Sequence, residues 1–337
     1  MPKCRVYLCT YRRNHLLPRA LNSLINQSFQ DWICELHNDD PADPFPGNLV
    51  LEKADPRIIL VNHEVNLGPT KTFNLFFKSI PEPYFSILED DNWWETKFLE
   101  TMIETLDAHS QVSVAWANMR LWQECEDGNW LDTGKTTWQR STNAEPELFE
   151  WPQLPQIFGA LHSNGAMLAR SHYAERYLIP EITPFVSIEP FRERCFLFPI
   201  LLLPTILANF AITLQTSRTK DLMPFVDAQI LLVSSFIKNV PMKQETITAM
   251  WQQARSGRVK RTNILLFAAL LRKECLFLLQ FATPGDWLFF FASLVRRPIL
   301  SWHEFRLMSR KNDLWEFLDT EVQNRMEEAR TKGFIEL

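Results

Sequence analysis

Glu89, Asp90 and Asp91 are three carboxylates in a row, closing the apolar run Tyr84-Phe85-Ser86-Ile87-Leu88 and leading into Asn92-Trp93-Trp94. Adjacent acids repel one another, and a bound cation offsets that cost. Hard oxygen ligands of this kind suit Mg²⁺ or Mn²⁺ carrying a phosphate. The apolar run itself has the character of a buried parallel strand. In open α/β sheets, ligands sit just beyond the carboxyl ends of such strands. A solvated acidic turn is the plainer reading of the same residues, and the elements around them favour the first.

Residues 4–10 read as a first strand, rich in β-formers, and 11–14 as a turn. Leu16, Leu17, Ala20, Leu21, Leu24 and Ile25 then recur at helical spacing. A second strand over 32–37 is closed by the acid- and proline-rich run 38–44, a loop placed where ligand-binding loops lie. A short third strand over 58–61, a turn at 66–71 running into a helix through 80, and a fourth strand over 84–88 complete the opening hundred residues. Strands alternating with helices at this spacing predict βαβ units and a largely parallel sheet. Beyond the acids, the pattern predicts a helix over 98–108, a strand over 112–118, a loop-rich insertion over 123–156 and a loop into a short strand over 160–168. A helix opening at 187–196 takes Ser187 as N-cap, with Pro190 and Glu189 in its first turn. Helical periodicity alone follows, over 221–238, 243–255, 263–281, 286–295 and 302–329. The expected organisation is an α/β domain over 1–215 and a helical module over 216–337.

The chain has 337 residues, 46% hydrophobic and 22% charged, with a net charge of −5. That excludes a disordered chain and gives no electrostatic footprint for nucleic acid. Six scattered cysteines lack metal-ligand spacing and read as small apolar side chains in a reduced, cytoplasmic setting, with no signal peptide ahead of the first strand. Residues 195–214 carry no charge over a membrane-spanning length, yet Pro199 and Pro204 would break a helix there, so a buried turn and a core strand are expected. In the tail, Trp287-Leu288-Phe289-Phe290-Phe291 stands close to Arg296-Arg297, a pairing suited to peripheral membrane contact, at the inner face of a membrane for a cytoplasmic protein. Packing of these helices on the α/β domain, or on a second copy as a homodimer, is the preferred reading.

The opening hundred residues resemble the family 2 inverting glycosyltransferases with the GT-A fold. Val6-Tyr7-Leu8-Cys9-Thr10-Tyr11-Arg12-Arg13 looks like the family's strand ending in Thr-Tyr-Asn-Arg, and the helix beginning at Leu17 like its Leu-x-x-Ala-Leu-x-Ser-Leu-x-x-Gln. His37-Asn38-Asp39-Asp40-Pro41-Ala42-Asp43 stands where Val-Asp-Asp-Gly-Ser-x-Asp is usual. Asn66-Leu67-Gly68 with Asn74 matches Asn-x-Gly…Asn, and Glu89-Asp90-Asp91 sits at the metal-binding Asp-x-Asp. The likeness is good over 4–118, loose to 215, and does not reach the tail. Pro41-Ala42 replaces Gly-Ser, and Glu189-Pro190 replaces the Glu-Asp that commonly carries the base.

The resemblance implies a glycosyltransferase that moves a sugar, with inversion, from a nucleotide-sugar donor to a glycan or lipid-linked acceptor, as in polysaccharide biosynthesis. It implies a divalent cation, Mn²⁺ or Mg²⁺, on Glu89 and Asp91, with Asp90 facing the ribose or sugar. Asp39 would accept from the nucleobase imide, and Thr10, Tyr11, Arg13, Asp40, Asn66, Gly68 and Lys71 would line the donor pocket, with Lys71 equally readable as a solvated helix lysine. Glu189 is the matched base and Glu193 its reserve, an ion pair with Arg192 or Arg194 being the plainer fate of Glu193. Trp93, Trp94, His162 and Asn164 are acceptor-side candidates, or core. Two other functions stay open: a nucleotidyltransferase, which would want a glycine-rich phosphate loop that 10–14 lacks, and a non-catalytic sugar- or partner-binding module.

Overall fold

The computed structural model describes residues 1–214, 223–241, 248, 262–309 and 313–333. They fall into two units, one of 1–153, 160–181 and 195–218, the other of 154–159, 182–194 and 219–337. The expected division at 215/216 therefore differs in two short excursions. Residues 154–159 and 182–194 join the second unit because their apolar and polar side chains find partners there. Phe191 stacks on Phe317, Gln156 bonds Glu193, and Gln229 bonds the Phe158 carbonyl.

In the first unit, alternation of β-branched, aromatic and small apolar residues builds one mixed sheet. Its strands are β1 (Cys4–Thr10), β2 (Trp32–Asn38), β3 (Ile58–Asn62), β4 (Tyr84–Glu89), β5 (Trp93–Trp94), β6 (Val114–Glu124), β7 (Trp130–Thr136), β8 (Glu147–Phe149), β9 (Met167–Arg170) and β10 (Ile200–Ile212). The spatial order is β3-β2-β1-β4-β9-β6-β10-β5, with β7 on β6 and β8 on β10. The block β3-β2-β1-β4 is parallel, β9 is antiparallel to both its neighbours, and β10 runs parallel to β6. Helices α1 (Leu17–Ile25), α2 (Phe45–Lys53), α3 (Pro69–Leu75) and α4 (Phe98–Ala108) connect the parallel strands and the start of β6. The buried stripe Leu17, Ala20, Leu21 and Leu24 of α1 and the stripe Phe98, Leu99, Met102, Ile103 and Leu106 of α4 join one core with Val6, Leu8, Leu36 and Leu88 of the sheet.

The 195–214 run forms no long helix: β10 takes most of it as a 13-residue strand. Pro204 is tolerated because the pairing with β6 shifts register between Leu203 and Ile206, leaving its missing N–H out of the ladder. The insertion read as loop over 123–156 instead holds β7 and β8, and β6 runs on to Glu124. Its threonines and tryptophans pair across a hairpin whose polar faces masked the alternation.

The second unit carries α5 (Ile188–Glu193), α6 (Met223–Asn239), α7 (Thr262–Leu271), a 3-10 segment (Lys273–Phe281), α8 (Pro284–Arg296), α9 (Pro298–Met308) and α10 (Leu314–Thr331). Ser187 is the N-cap of α5, but its side chain makes no capping bond. The expected continuous helices over 263–281 and 302–329 are each two pieces. The expected helix at 243–255 lies almost wholly outside the described residues. Ile264, Leu266, Phe267, Phe290 and Met308 form this unit's own apolar cluster.

Trp94 belongs to the core of the first unit. It is 3% exposed, its ring stacks on Phe98 at 4.2 Å, and its Nε1 donates to the Gly165 carbonyl at 2.8 Å. Trp94→Ala is expected to lower the unfolding free energy by about 3–5 kcal/mol in denaturant titrations, with Trp94→Phe costing less.

Candidate active site

Strand register puts the chemistry-bearing residues on one edge. Cys9 pairs with both His37 and Glu89, so Thr10, Asn38-Asp39-Asp40 and Glu89-Asp90-Asp91 leave the sheet level with one another. At the end of β4 the two aspartates share one arginine. Arg13 Nη1 is ion-paired with Asp91 Oδ2 and lies 3.6 Å from Asp90 Oδ1. Burial first, and then the charge of Asp91, push the Asp90 carboxyl up to about 7, against the opposing pull of Arg13, the Thr10 hydroxyl and the Tyr11 N–H. Glu89 is held separately: its Oε2 accepts from Asn92 Nδ2 at 2.7 Å. A Cβ at Gly165 would lie 2.7 Å from that same oxygen and 2.8 Å from Asn92 Nδ2, so a side chain there would have to displace the Glu89–Asn92 pair. Arg19, on α1, donates to the Asp91 carbonyl at 2.8 Å and stacks its guanidinium on Trp93 (3.8 Å) and Trp130 (4.0 Å).

On the β2 side, Asp39 organises a loop. Its carboxylate accepts from His63 Nδ1 (2.8 Å), Asn66 Nδ2 (3.0 Å), Leu67 N (2.8 Å) and Gly68 N (3.1 Å), which takes up all four of its lone-pair directions. Gly68, at φ +76°, turns the chain into α3. Asp40 is capped by Ala42 N and paired with Arg12 Nε at 2.6 Å, and that guanidinium holds its carboxyl below the usual carboxylate range. Lys71 points to the exposed Glu181 at 3.1 Å, the solvated-lysine reading of the two.

Behind Asp39 runs a buried relay that sequence reasoning missed. His63 Nε2 meets His37 Nδ1 at 3.0 Å, and His37 Nε2 meets Glu35 Oε2 at 3.3 Å. Three links need three protons, one more than two neutral rings carry. Glu35 also pairs with Arg5 and with Lys78 (3.2 Å), and Arg5 with Glu82 at 2.8 Å. Period-two spacing of Glu35, His37 and Asp39 along one strand was the available signal.

The donor set at the end of β4 is hard oxygen. Burial and the neighbouring Asp91 both disfavour the charged form of Asp90, and a nearby cation would favour it. Among the described residues no three or more His, Cys, Asp or Glu side chains converge on one cation position. Carboxylates of this kind would suit an open site in which few protein oxygens hold a cation, with Asp91, Asp90 and Glu89 the candidates and Glu89 already accepting from Asn92. That arrangement is usual for Mg²⁺, which keeps most of its shell for water and substrate.

Of the acceptor-side candidates, Trp93 is half-buried and clamped by Arg19, with Trp122 5.7 Å away. Trp94, His162 and Asn164 are core: His162 packs edge-on to Phe196 at 4.7 Å, and each is less than 5% exposed, so none presents a face to a sugar. A cavity of about 530 Å³ does open beside Trp93, lined by Trp122, Asn209, Arg120, Glu95 and Lys97. Trp122 Nε1 donates to Asn209 Oδ1 and Asn209 Nδ2 to Glu95 Oε1, both at 2.8 Å, so the indole is held in place. In the second unit, Glu189 is half-buried in the first turn of α5. Glu193 is fully buried and accepts from Gln156 Nε2 at 2.7 Å.

Residues 5–167, just under half of the chain, match glycosyl transferase family 2. The match is confined to this N-terminal part of the chain, the part that holds β1 to β4 and the acids at the end of β4. An uncharacterized glycosyltransferase of Haemophilus influenzae is 22% identical over 185 residues. That alignment covers 53% of this chain and 55% of that one, about half the length of each. Residues 1–349 of TarS from S. aureus, in complex with UDP, superpose with a TM-score of 0.58 at 14% identity, covering 98% of this chain and 92% of that one. A longer TarS structure gives 0.56 at 15% identity, covering 96% of this chain and 55% of that one. The shared fold is GT-A, a mostly parallel sheet with flanking helices, continued by a helical C-terminal region.

The hydrogen bond from His37, helped by Lys78 and Arg5 against the cost of burial, holds Glu35 down to about 2 from an ordinary 4.5. A depressed carboxylate adds stability above its unfolded value and loses it as pH falls. Wild type should therefore weaken as pH drops from 4.5 toward about 2. Glu35→Gln should be less stable at neutral pH by about 1–3 kcal/mol and flatter across that window, read from urea midpoints against pH.

Proposed function

We propose that this protein is a glycosyltransferase that takes its sugar from a nucleoside diphosphate sugar, a UDP sugar first among the candidates, and transfers it with inversion in a metal-dependent reaction. The acceptor is a glycan or a lipid-linked saccharide. The observation that carries the reading is the Asp90–Asp91–Arg13 cluster, level with the Thr10 and Asp39 loops at the carboxyl edge of a GT-A sheet. The UDP and UDP-GlcNAc complexes of TarS, which has the same fold, support a uridine donor.

Each residue then has a physical task. Thr10, Tyr11, Asp40, Asn66 and Gly68 shape the nucleoside pocket. Asp39, its oxygens already taken by four donors of the chain, is a positioning residue that fixes the 66–68 loop. A divalent cation on Asp91 and Asp90 would supply Lewis-acid stabilisation of the diphosphate. Arg13, between the same carboxylates, adds a fixed positive charge where the leaving diphosphate gathers negative charge, an arrangement that favours the transition state. Glu189 takes the proton of the attacking acceptor hydroxyl, with Glu193 as the second candidate. The acceptor sugar stacks on Trp122 in the cavity beside Trp93, replacing the buried Trp94 and His162 in that role.

UDP with Mn²⁺ is expected to raise the melting temperature of the wild type more than either alone, and more than GDP, dTDP or CMP with Mn²⁺. Saturation at a hundred times Kd corresponds to about 2.7 kcal/mol. Asp91→Ala should abolish the metal-dependent part, while Trp122→Ala should keep it. A wild type that no nucleotide stabilises would sink the donor assignment.

A further inference from the structure

Helices α8 and α9 form a hairpin whose inner face is fully used. Phe290 packs on Phe267 at 4.8 Å, Phe305 on Phe267 at 6.1 Å, and Ser301 Oγ bonds the Ser293 carbonyl at 3.3 Å. The start of α8 is fixed by a capping box between Thr283 and Asp286. The outer face is apolar and bare. Leu288, Val295 and Ile299 are 73%, 81% and 75% exposed, and Phe291, Trp302 and Leu300 are each about half exposed. Lone exposed apolar residues are ordinary, but six on one hairpin mark an interaction surface.

Charge identifies what the face meets. Over residues 284–309 the only acids are Asp286 and Glu304, and both are buried at 6% exposure. Arg296, Arg297 and Arg306 are all exposed, with His303 among them. Within residues 284–309 the exposed charges beside the apolar strip are thus all cations. A second copy across a twofold axis would bring these arginines toward their own equivalents, whereas an anionic lipid surface attracts them. Among the described residues no helix is long and apolar enough to cross a bilayer. The 3-10 segment 273–281 and α8 pass such a test only together, across a 119° bend. Two short apolar pieces at such an angle suit a segment lying in an interface.

We propose that the outer face of the α8–α9 hairpin docks the protein on anionic phospholipid bilayers, with Leu288, Phe291, Val295, Ile299 and Trp302 entering the headgroup–acyl boundary and Arg296, Arg297 and Arg306 meeting lipid phosphates. The inference is independent of the donor and acceptor assignment. The full chain is sedimented with phosphatidylcholine vesicles and with phosphatidylcholine–phosphatidylglycerol vesicles. Binding to the anionic vesicles only, weakened by salt, is expected. Phe291→Ser/Trp302→Ser and Arg296→Ser/Arg297→Ser should each reduce the partition coefficient about tenfold or more, with melting temperatures and UDP-induced stabilisation unchanged. Wild type left in the supernatant with anionic vesicles would overturn the proposal. So would a dimer in sedimentation velocity that Phe291→Ser/Trp302→Ser disperses, which would assign the face to a second copy.

Discussion

Two aspartates side by side at the end of a buried strand, with one arginine between them, are the constraint on which the rest of the site depends. Buried Asp90 beside partly buried Asp91 concentrates negative charge, and Arg13 brings a positive charge to both from the turn that follows β1. The parallel pairing of β1 with β4 exists in the register that delivers Arg13 to those carboxylates. The glycine at 165 lets the Glu89–Asn92 pair approach the backbone closely. Arg19 secures the same loop from α1 through the Asp91 carbonyl. A ligand that brings both phosphate and a divalent cation matches this arrangement from both sides, one partner for the arginine and one for the acids.

A second cluster supports the first from β2. Asp39 spends its carboxylate on the backbone of the 66–68 loop, and the His63–His37–Glu35 relay ties it to Arg5, Lys78 and Glu82. Charged-group hydrogen bonds at 2.8–3.3 Å among buried partners make that loop stiff. The 66–68 loop is then preformed by the chain's own network, which would lower the ordering cost of binding a ligand there.

Much of this was legible in the residues. Alternating strand and helix patterns placed β1, β2, β3, β4, α1 and α4 within a residue or two, because each buries a strong apolar stripe. The acid triplet stood out as a candidate site because carboxylates rarely follow a buried strand without purpose. The positions of Arg13 and Asp39 were legible too, but not their partners: whether Asp39 faces a ligand or its own loop depends on backbone N–H groups that carry no side-chain signature. Short strands hid for physical reasons. β5 is two tryptophans paired to β10, β7 is a half-polar strand paired to β6, and β8 is three residues paired to β10, so none shows a periodicity long enough to read. Trp94 and His162 looked like sugar-binding residues because ring type does not reveal burial. On the tail, the aromatic-and-arginine pattern was visible, but not which of its side chains α8 and α9 leave exposed.

The most direct test of the account is the thermal stability of Arg13→Gln with and without Mn²⁺, in the absence of nucleotide. If Arg13 is the internal counter-ion of Asp90 and Asp91, its removal leaves the two acids uncompensated. The variant should then melt below wild type, and Mn²⁺ should raise its melting temperature by more than it raises that of wild type. A variant as stable as wild type, or one that gains no more from Mn²⁺ than wild type does, would contradict the claim that the acid pair, its arginine and a cation form one balanced site.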